Sequence, residues 1–400
     1  MRRLRPAMLT ALNAALLLAP SARAQESLLP STSWALAPIF TTWHFGTSIP
    51  QAGGSVKDVR QFALPVRAGM TLGDRWSVDL SGAASTSSVQ VENAGAVRTL
   101  TLNGLTDVKL RVSGALVGDG LEVTAGLNIP TGATGLSADQ TAVLQTIGAP
   151  ALRMPVSALG LGPGATLGLV GARTAGAWAL ALGASVEKRT EYTPIELALA
   201  GGKSPTKVTP GSALHVTVGA ERGIGDNRLS LLLVADGYST DQVKIGLDGG
   251  ATANSSYKLG PQLMALGRLD LAARGWRDAN TALVVRYRST FTDASGMAVP
   301  GSNAAYVEAS LAGVRGGATG LGLILGADAR YHTGLSFTDA LVGAAVSAGG
   351  VTLGVEIPTG SAVLRLAARG QYGQFNTGTA RSSAAGLTLM GAVGARGQAR

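Results

Sequence analysis

The residues that could do chemistry are few and scattered. The 400-residue chain has no cysteine and three histidines, His44, His215 and His332. None sits in an H-E-x-x-H or H-x-H arrangement. Without cysteine there is no thiolate nucleophile, zinc–thiolate site or iron–sulfur cluster. A barrel hydrolase would need Ser, His and an acid converging at one rim. Ser48 follows His44, and Ser336 and Asp339 follow His332, but no G-x-S-x-G elbow marks a nucleophile. A lone histidine at a strand end is more often an ordinary interfacial residue, so the chain is not expected to be an enzyme. The glycine string at Gly160–Gly164 lacks the G-x-x-x-x-G-K-[ST] pattern of a phosphate loop. No metal-ligand spacing or dinucleotide fingerprint occurs, and no cofactor is expected.

What remains is charge at alternate positions. Asp107, Lys109 and Arg111 are followed by Glu122, then by Arg268, Arg286, Arg288, Arg330, Arg365 and Arg369. Asp270, Arg274, Glu308, Asp328 and Glu356 fall in the same segments. Successive residues of a strand point to opposite faces, so charges spaced by two share a face and the intervening apolar residues take the other. If the apolar face meets lipid, the charged face lines a lumen. Its basic surplus would then attract anions. Neutralisation of arginines by carboxylates on neighbouring strands is the competing reading.

The elements that must position these residues are strands. Leu121, Val123, Ala125, Leu127 and Ile129 alternate with Glu122, Thr124, Gly126 and Asn128. The same period recurs from residue 34 to residue 372 in sixteen candidate segments, including 338–347 and 351–358 separated by a Gly349-Gly350 turn. A seventeenth, Leu387–Val393, spoils the even count. Several segments reach the roughly 9–11 residues that a tilted strand needs to cross a bilayer. Short Gly/Asn/Asp turns alternate with longer connections near 83–103, 130–163, 188–211, 239–257 and 292–303. Outer-membrane barrels sort their loops in this way. Trp76, Trp178 and Trp276 lie beside short turns, and Phe45, Tyr238, Phe291, Tyr306 and Tyr331 beside long ones, as two interfacial girdles would require. The reading is an all-β fold, an antiparallel transmembrane β-barrel of about 14–16 strands, because backbone in lipid must close its own hydrogen bonds. In the longest connection Ser137, Asp139 and Gln140 begin a capping box, Ser137 to Gln140, before a short helix. These three mark a candidate constriction loop, with an external loop as the plainer alternative.

Composition agrees. The chain is 46% hydrophobic and only 14% charged, with 56 glycines, unlike a charge-rich disordered chain. Arg2, Arg3 and Arg5, an apolar stretch from Ala7 to Leu18, and Ala22-Arg23-Ala24 read as a secretory signal peptide over residues 1–24. Residues 25–400 then form a single barrel domain. Removing the signal takes Lys+Arg from 33 to 29 against 24 Asp+Glu, and net charge from +9 to +5. Export and the lack of a basic run argue against a nucleic-acid partner.

Two stretches resemble a known family. Gly104-Leu105-Thr106-Asp107-Val108 is similar to a G-L-x-D-(V/L) strand opening. Gly126-Leu127-Asn128-Ile129-Pro130-Thr131-Gly132 is similar to a strand ending in G-L-x-(I/L)-P-T-G. Together they resemble outer-membrane channel proteins of the meta-pathway phenol-degradation-like family. That resemblance implies a barrel admitting small, often aromatic or hydrophobic compounds. Unlike common barrels, the chain ends Gly394 to Arg400 without a terminal aromatic for the insertion machinery to read. The function expected is passive diffusion or uptake of small hydrophobic, aromatic or anionic solutes across a Gram-negative-type outer membrane. The partners expected are outer-membrane lipid, the barrel assembly machinery and the solute. The alternatives are a structural or adhesive surface barrel and, more remotely, an outer-membrane hydrolase.

Overall fold

The computed structural model describes residues 34–51, 54–72, 75–117, 120–199, 202–247, 251–316, 320–334, 344–360, 362–376 and 381–395. In chain order the strands are β1 (Trp34–Leu36), β2 (Ile39–Gln51), β3 (Gly54–Leu72), β4 (Trp76–Asn93), β5 (Ala96–Leu105), β6 (Val108–Val117) and β7 (Leu121–Ile129). One helix, α1 (Ala138–Ile147), follows. Then come β8 (Gly164–Ala175), β9 (Trp178–Arg189), β10 (Tyr192–Leu199), β11 (Gly202–Thr209), β12 (Ala213–Ile224), β13 (Asn227–Tyr238), β14 (Asp241–Gly246) and β15 (Thr252–Tyr257). The last are β16 (Gln262–Asp270), β17 (Trp276–Arg288), β18 (Ala304–Arg315), β19 (Gly322–Thr333), β20 (Ala345–Thr359), β21 (Ala362–Asn376) and β22 (Arg381–Ala395).

Eighteen of these strands form one sheet. β1 and β2 share one wall position, interrupted at Ala37-Pro38, because β22 pairs with both. β5 and β6 share another, interrupted at Thr106-Asp107, because β4 pairs with both. Sixteen positions result, and β22 against β2 closes the ring antiparallel from Ile39↔Met390 to Phe45↔Ala384.

Two expectations are corrected. The segments 338–347 and 351–358 do not form two strands: β20 runs unbroken through Gly349-Gly350. Neither glycine takes a positive φ, and a Cβ on Gly350 would meet the Arg369 guanidinium at 2.8 Å. The glycine makes room for an arginine and no turn is present. Merging the two removes the odd strand and makes β22 the sixteenth. The region 83–103 is likewise no long connection. β4 and β5 extend through it to a tight turn at Ala94 (φ 49°) and Gly95 (φ 83°), both in the left-handed region a two-residue hairpin requires.

The outer surface carries the apolar half of the alternation. Leu167, Leu182 and Val351 are 63%, 61% and 58% exposed, and comparable side chains recur on nearly every wall strand. A surface so apolar is unfavourable in water and suited to hydrocarbon. The ring leaves no sheet edge in the bilayer. No helix among the described residues is long and apolar enough to cross a membrane; the crossing is made by strands. The chain is a closed antiparallel β-barrel whose exterior suits a membrane. Outside the wall, β10–β11 and β14–β15, two hairpins from neighbouring long connections, join into a four-stranded sheet. The girdle residues divide. Trp76 and Tyr331 face outward. Phe45 and Tyr306 are corrected to the inner face, Phe45 packing edge-on against Phe375 at 5.1 Å.

Candidate functional site: a strap across the barrel interior

The connection from β7 to β8 begins and ends at one carboxylate. Asp107 is 3% exposed. Its Oδ1 accepts from Gly132 N at 2.8 Å, and its Oδ2 accepts from Leu161 N and Asn128 Nδ2, both at 2.7 Å. Asn128 Nδ2 also donates to Gly162 O at 2.5 Å. Thr131 Oγ1 accepts from Val108 N at 3.0 Å and donates to Thr106 O at 3.1 Å. The two motifs that carry the family resemblance therefore clasp each other, at the point where β5 breaks from β6 and the connection leaves and rejoins the wall.

Beyond the clasp, α1 begins at the predicted capping box. Ser137 Oγ accepts from Gln140 N at 3.3 Å, and Gln140 Oε1 accepts from Ser137 N at 3.0 Å. Asp139 pairs with Arg98 at 3.2 Å in an exposed contact. These three residues stand at the exposed start of the helix. The segment that enters the barrel is residues 149–160. It buries Ala151, Leu152, Met154, Val156 and Leu159 against Trp43, Val59, Val89, Leu102 and Phe375 of the inner wall. Each large apolar side chain so covered contributes about 1.5–3 kcal/mol. Polar ties fix the register: Trp43 Nε1 donates to Leu152 O at 2.9 Å, and Gln61 exchanges bonds with Val156 N and O, both at 2.8 Å.

The strap reaches across the barrel. Arg330 Nη2, on β19, donates to Ala151 O at 3.0 Å. Arg153 reaches Glu308 on β18 at 3.0 Å and Asp328 on β19 at 3.4 Å. Going either way round the ring, these strands lie about as far from the β7–β8 connection as sixteen positions allow. Asp328 is also held by Arg369 at 2.7 Å. Arg153 takes φ 50°, a conformation costing a non-glycine residue about 1 kcal/mol or more, and these contacts hold it there.

All ten predicted face residues lie opposite the exposed apolar positions, but their surroundings differ. Asp107 is the clasp. Lys109 stands in register between Asn128 and Ser81. Arg111 binds Asp79 at 2.7 Å, and Arg365 binds Glu356 at 2.7 Å. Glu122 lies between Ala115 and Val170. Arg268 donates to Asp270 at 2.6 Å. Arg286 stacks over the Tyr306 ring at 5.2 Å, and Arg288 Nη2 donates to Ser302 O at 3.4 Å. Arg330 and Arg369 meet the strap and Asp328. Arg274 instead sits exposed in the 271–275 turn. Sequence reasoning missed Arg153, Gln61 and Trp43. A signal was present: Leu152, Met154 and Val156 alternate inside a connection read as polar, and apolar residues there need cover.

Among the described residues considered for hydrolysis, His44 and Ser48 each have a separate partner and His332 lies elsewhere. His44 is exposed and pairs with Asp58 at 2.9 Å. Ser48 Oγ donates to Glu92 Oε2 at 3.3 Å. His332 is buried beside Tyr306, ring centroids 5.8 Å apart. Ser336 and Asp339 lie outside the described residues, as does the predicted signal segment.

No family model matches the chain, and no curated protein matches it. Solved structures do match along most of its length. A TodX monoaromatic hydrocarbon channel deletion mutant is similar at 11% identity over 96% of this chain and 94% of its own, TM-score 0.43. OprB of Pseudomonas putida at low pH is similar at 8% identity over 90% and 91%, TM-score 0.44. The CymD monoaromatic hydrocarbon channel is similar at 11% identity over 95% and 91%, TM-score 0.39.

Proposed function

We propose that this barrel is a passive channel for small solutes, narrowed by residues 149–160. The strap carries the reading. A barrel that only anchors external loops needs no segment buried through its interior and tied to both walls. Solutes entering from the loop side meet the charged inner face and the strap together, so size and charge are selected at one level. The resemblance of the Asp107 clasp motifs to the meta-pathway family favours small hydrophobic or aromatic cargo. The arginines of the far wall favour anions. Lipid and the barrel assembly machinery are the partners such a barrel requires for insertion. The test is liposome swelling with the full chain reconstituted. Swelling in small sugars and amino acids, falling steeply with solute size, is the expected result, and closed liposomes contradict it. A structural or adhesive surface role is favoured by the external four-stranded sheet alone, and it predicts the closed liposomes.

A further inference from the structure

At the short-turn end, the outer face combines tryptophan rings with unneutralised arginines. Arg75, Arg173, Arg222, Arg274 and Arg315 all stand exposed there, and none of their side chains makes a hydrogen bond or an ion pair among the described residues. Trp76 and Trp276 lie across Gly114 and Gly313 of neighbouring strands, where a Cβ would strike either ring. Trp178, on β9, lies between two of the arginines. It is in register with Arg222 on β12, whose guanidinium stands 5.6 Å from its ring centroid. Arg173 on β8 is in register with Leu180, one step further up β9. β8 and β12 flank β9, so two strand spacings, about 10 Å, and one two-residue step separate the arginine backbones. Arg173 and Arg222 follow exposed Leu169 and Val218 by an even number of positions, so both face outward. Carboxylates are not at hand. Glu221 points to the inner face, 3.7 Å from Arg228, and Asp226 stands at a turn tip beyond Arg222. Asp74 and Asp119, of neighbouring turns, lie outside the described residues.

Resting on the membrane placement of the wall and not on conduction, we propose that Arg173, Trp178 and Arg222 bind an anionic phospholipid of the adjoining leaflet. Its phosphate lies between the two guanidiniums, whose planar forks suit phosphate oxygens. Its acyl chains cover Leu180, Leu182 and Val218, which are exposed on the same face. Trp178 sits at the boundary between headgroup and chains. A phosphatidylethanolamine would bring an ammonium beside two cations, whereas a phosphatidylglycerol brings only hydroxyls. Arg75, Arg274 and Arg315 give the rest of this end the same sign of charge, which draws anionic lipid towards it.

The test is competition between phosphatidylglycerol and phosphatidylethanolamine of identical chains for the full protein in detergent. Lipid retained through size exclusion is counted by mass spectrometry. Phosphatidylglycerol is retained with a preference of about twentyfold, roughly fivefold for each arginine. Arg173→Gln and Arg222→Gln each lower that preference about fivefold. Higher salt lowers it in the wild type. Both side chains are exposed and unpaired, so the variants keep the folded band on unheated gels. Arg60→Gln, on the outer face towards the long connections, leaves the preference unchanged. Equal retention of the two lipids overturns the site, as does a preference that the two arginine variants or salt leave intact. An equal loss in Arg60→Gln overturns it too, as a general effect of charge. Protein that stays dissolved without detergent overturns the membrane placement, and the site with it.

Discussion

Asp107 shows how far a single residue's role can move between sequence and structure. Alternation places its side chain on the inner face, and that placement suggested a charge offered to solutes. Alternation cannot supply partners from a connection that returns 54 residues later, as Leu161 N does. Three donors converge on the carboxylate, and each would be left without its acceptor in Asp107→Ala. Leaving a buried donor unmade costs about 1–3 kcal/mol. The variant is expected to lose its heat-resistant folded band on gels at a markedly lower temperature, whereas Lys109→Ala keeps it. An unchanged Asp107→Ala transition would remove the clasp from the account. Arg153 was illegible for a different reason. An isolated arginine in a connection looks solvated, and its partners Glu308 and Asp328 are more than 150 positions away.

At the scale of elements, most of the wall was legible because lipid on one side enforces strict period two. Reading failed where a small residue answers a packing demand. Gly350 looks like a turn in sequence and is the seat of the Arg369 guanidinium in β20. The α1 capping box was fully legible, being local. Its loss in Ser137→Ala should cost about 1 kcal/mol of helix stability. The expected result is faster amide exchange in residues 138–142 with solute passage unchanged, and a change in passage would place the helix start in the permeation path. The external sheet has its own pH dependence. Glu191 lies 3.4 Å from Lys207 and 3.5 Å from Lys244. Desolvation acts to raise its pKa, but the two lysines overcome this and hold it below the ordinary carboxylate value. A depressed carboxylate pKa contributes stability above the unfolded value, about 4.3, and loses it as pH falls through the folded one. The protection of β11 and β14 amides, relative to their intrinsic exchange rate at each pH, is therefore expected to fall below about pH 4 and to stay flat above it. No pH effect would show that the pairing contributes nothing to holding the hairpins together.

For the molecule as a whole, the outer face and the strap make separate demands. Leu353 is 57% exposed near the middle of β20. In lipid, Leu353→Arg costs about 2–4 kcal/mol, as for arginine at the bilayer midplane of other barrels. On a water-facing surface the same change costs almost nothing, so folding yields into vesicles separate the two. The strap tests the interior. Replacing residues 149–160 by a Gly/Ser linker of equal length keeps the clasp, the wall and the external sheet. Small discrete current steps are expected from the wild type in planar bilayers and severalfold larger ones from the replacement. Identical steps from the two proteins would contradict this, because residues 149–160 would then not narrow any path through the barrel.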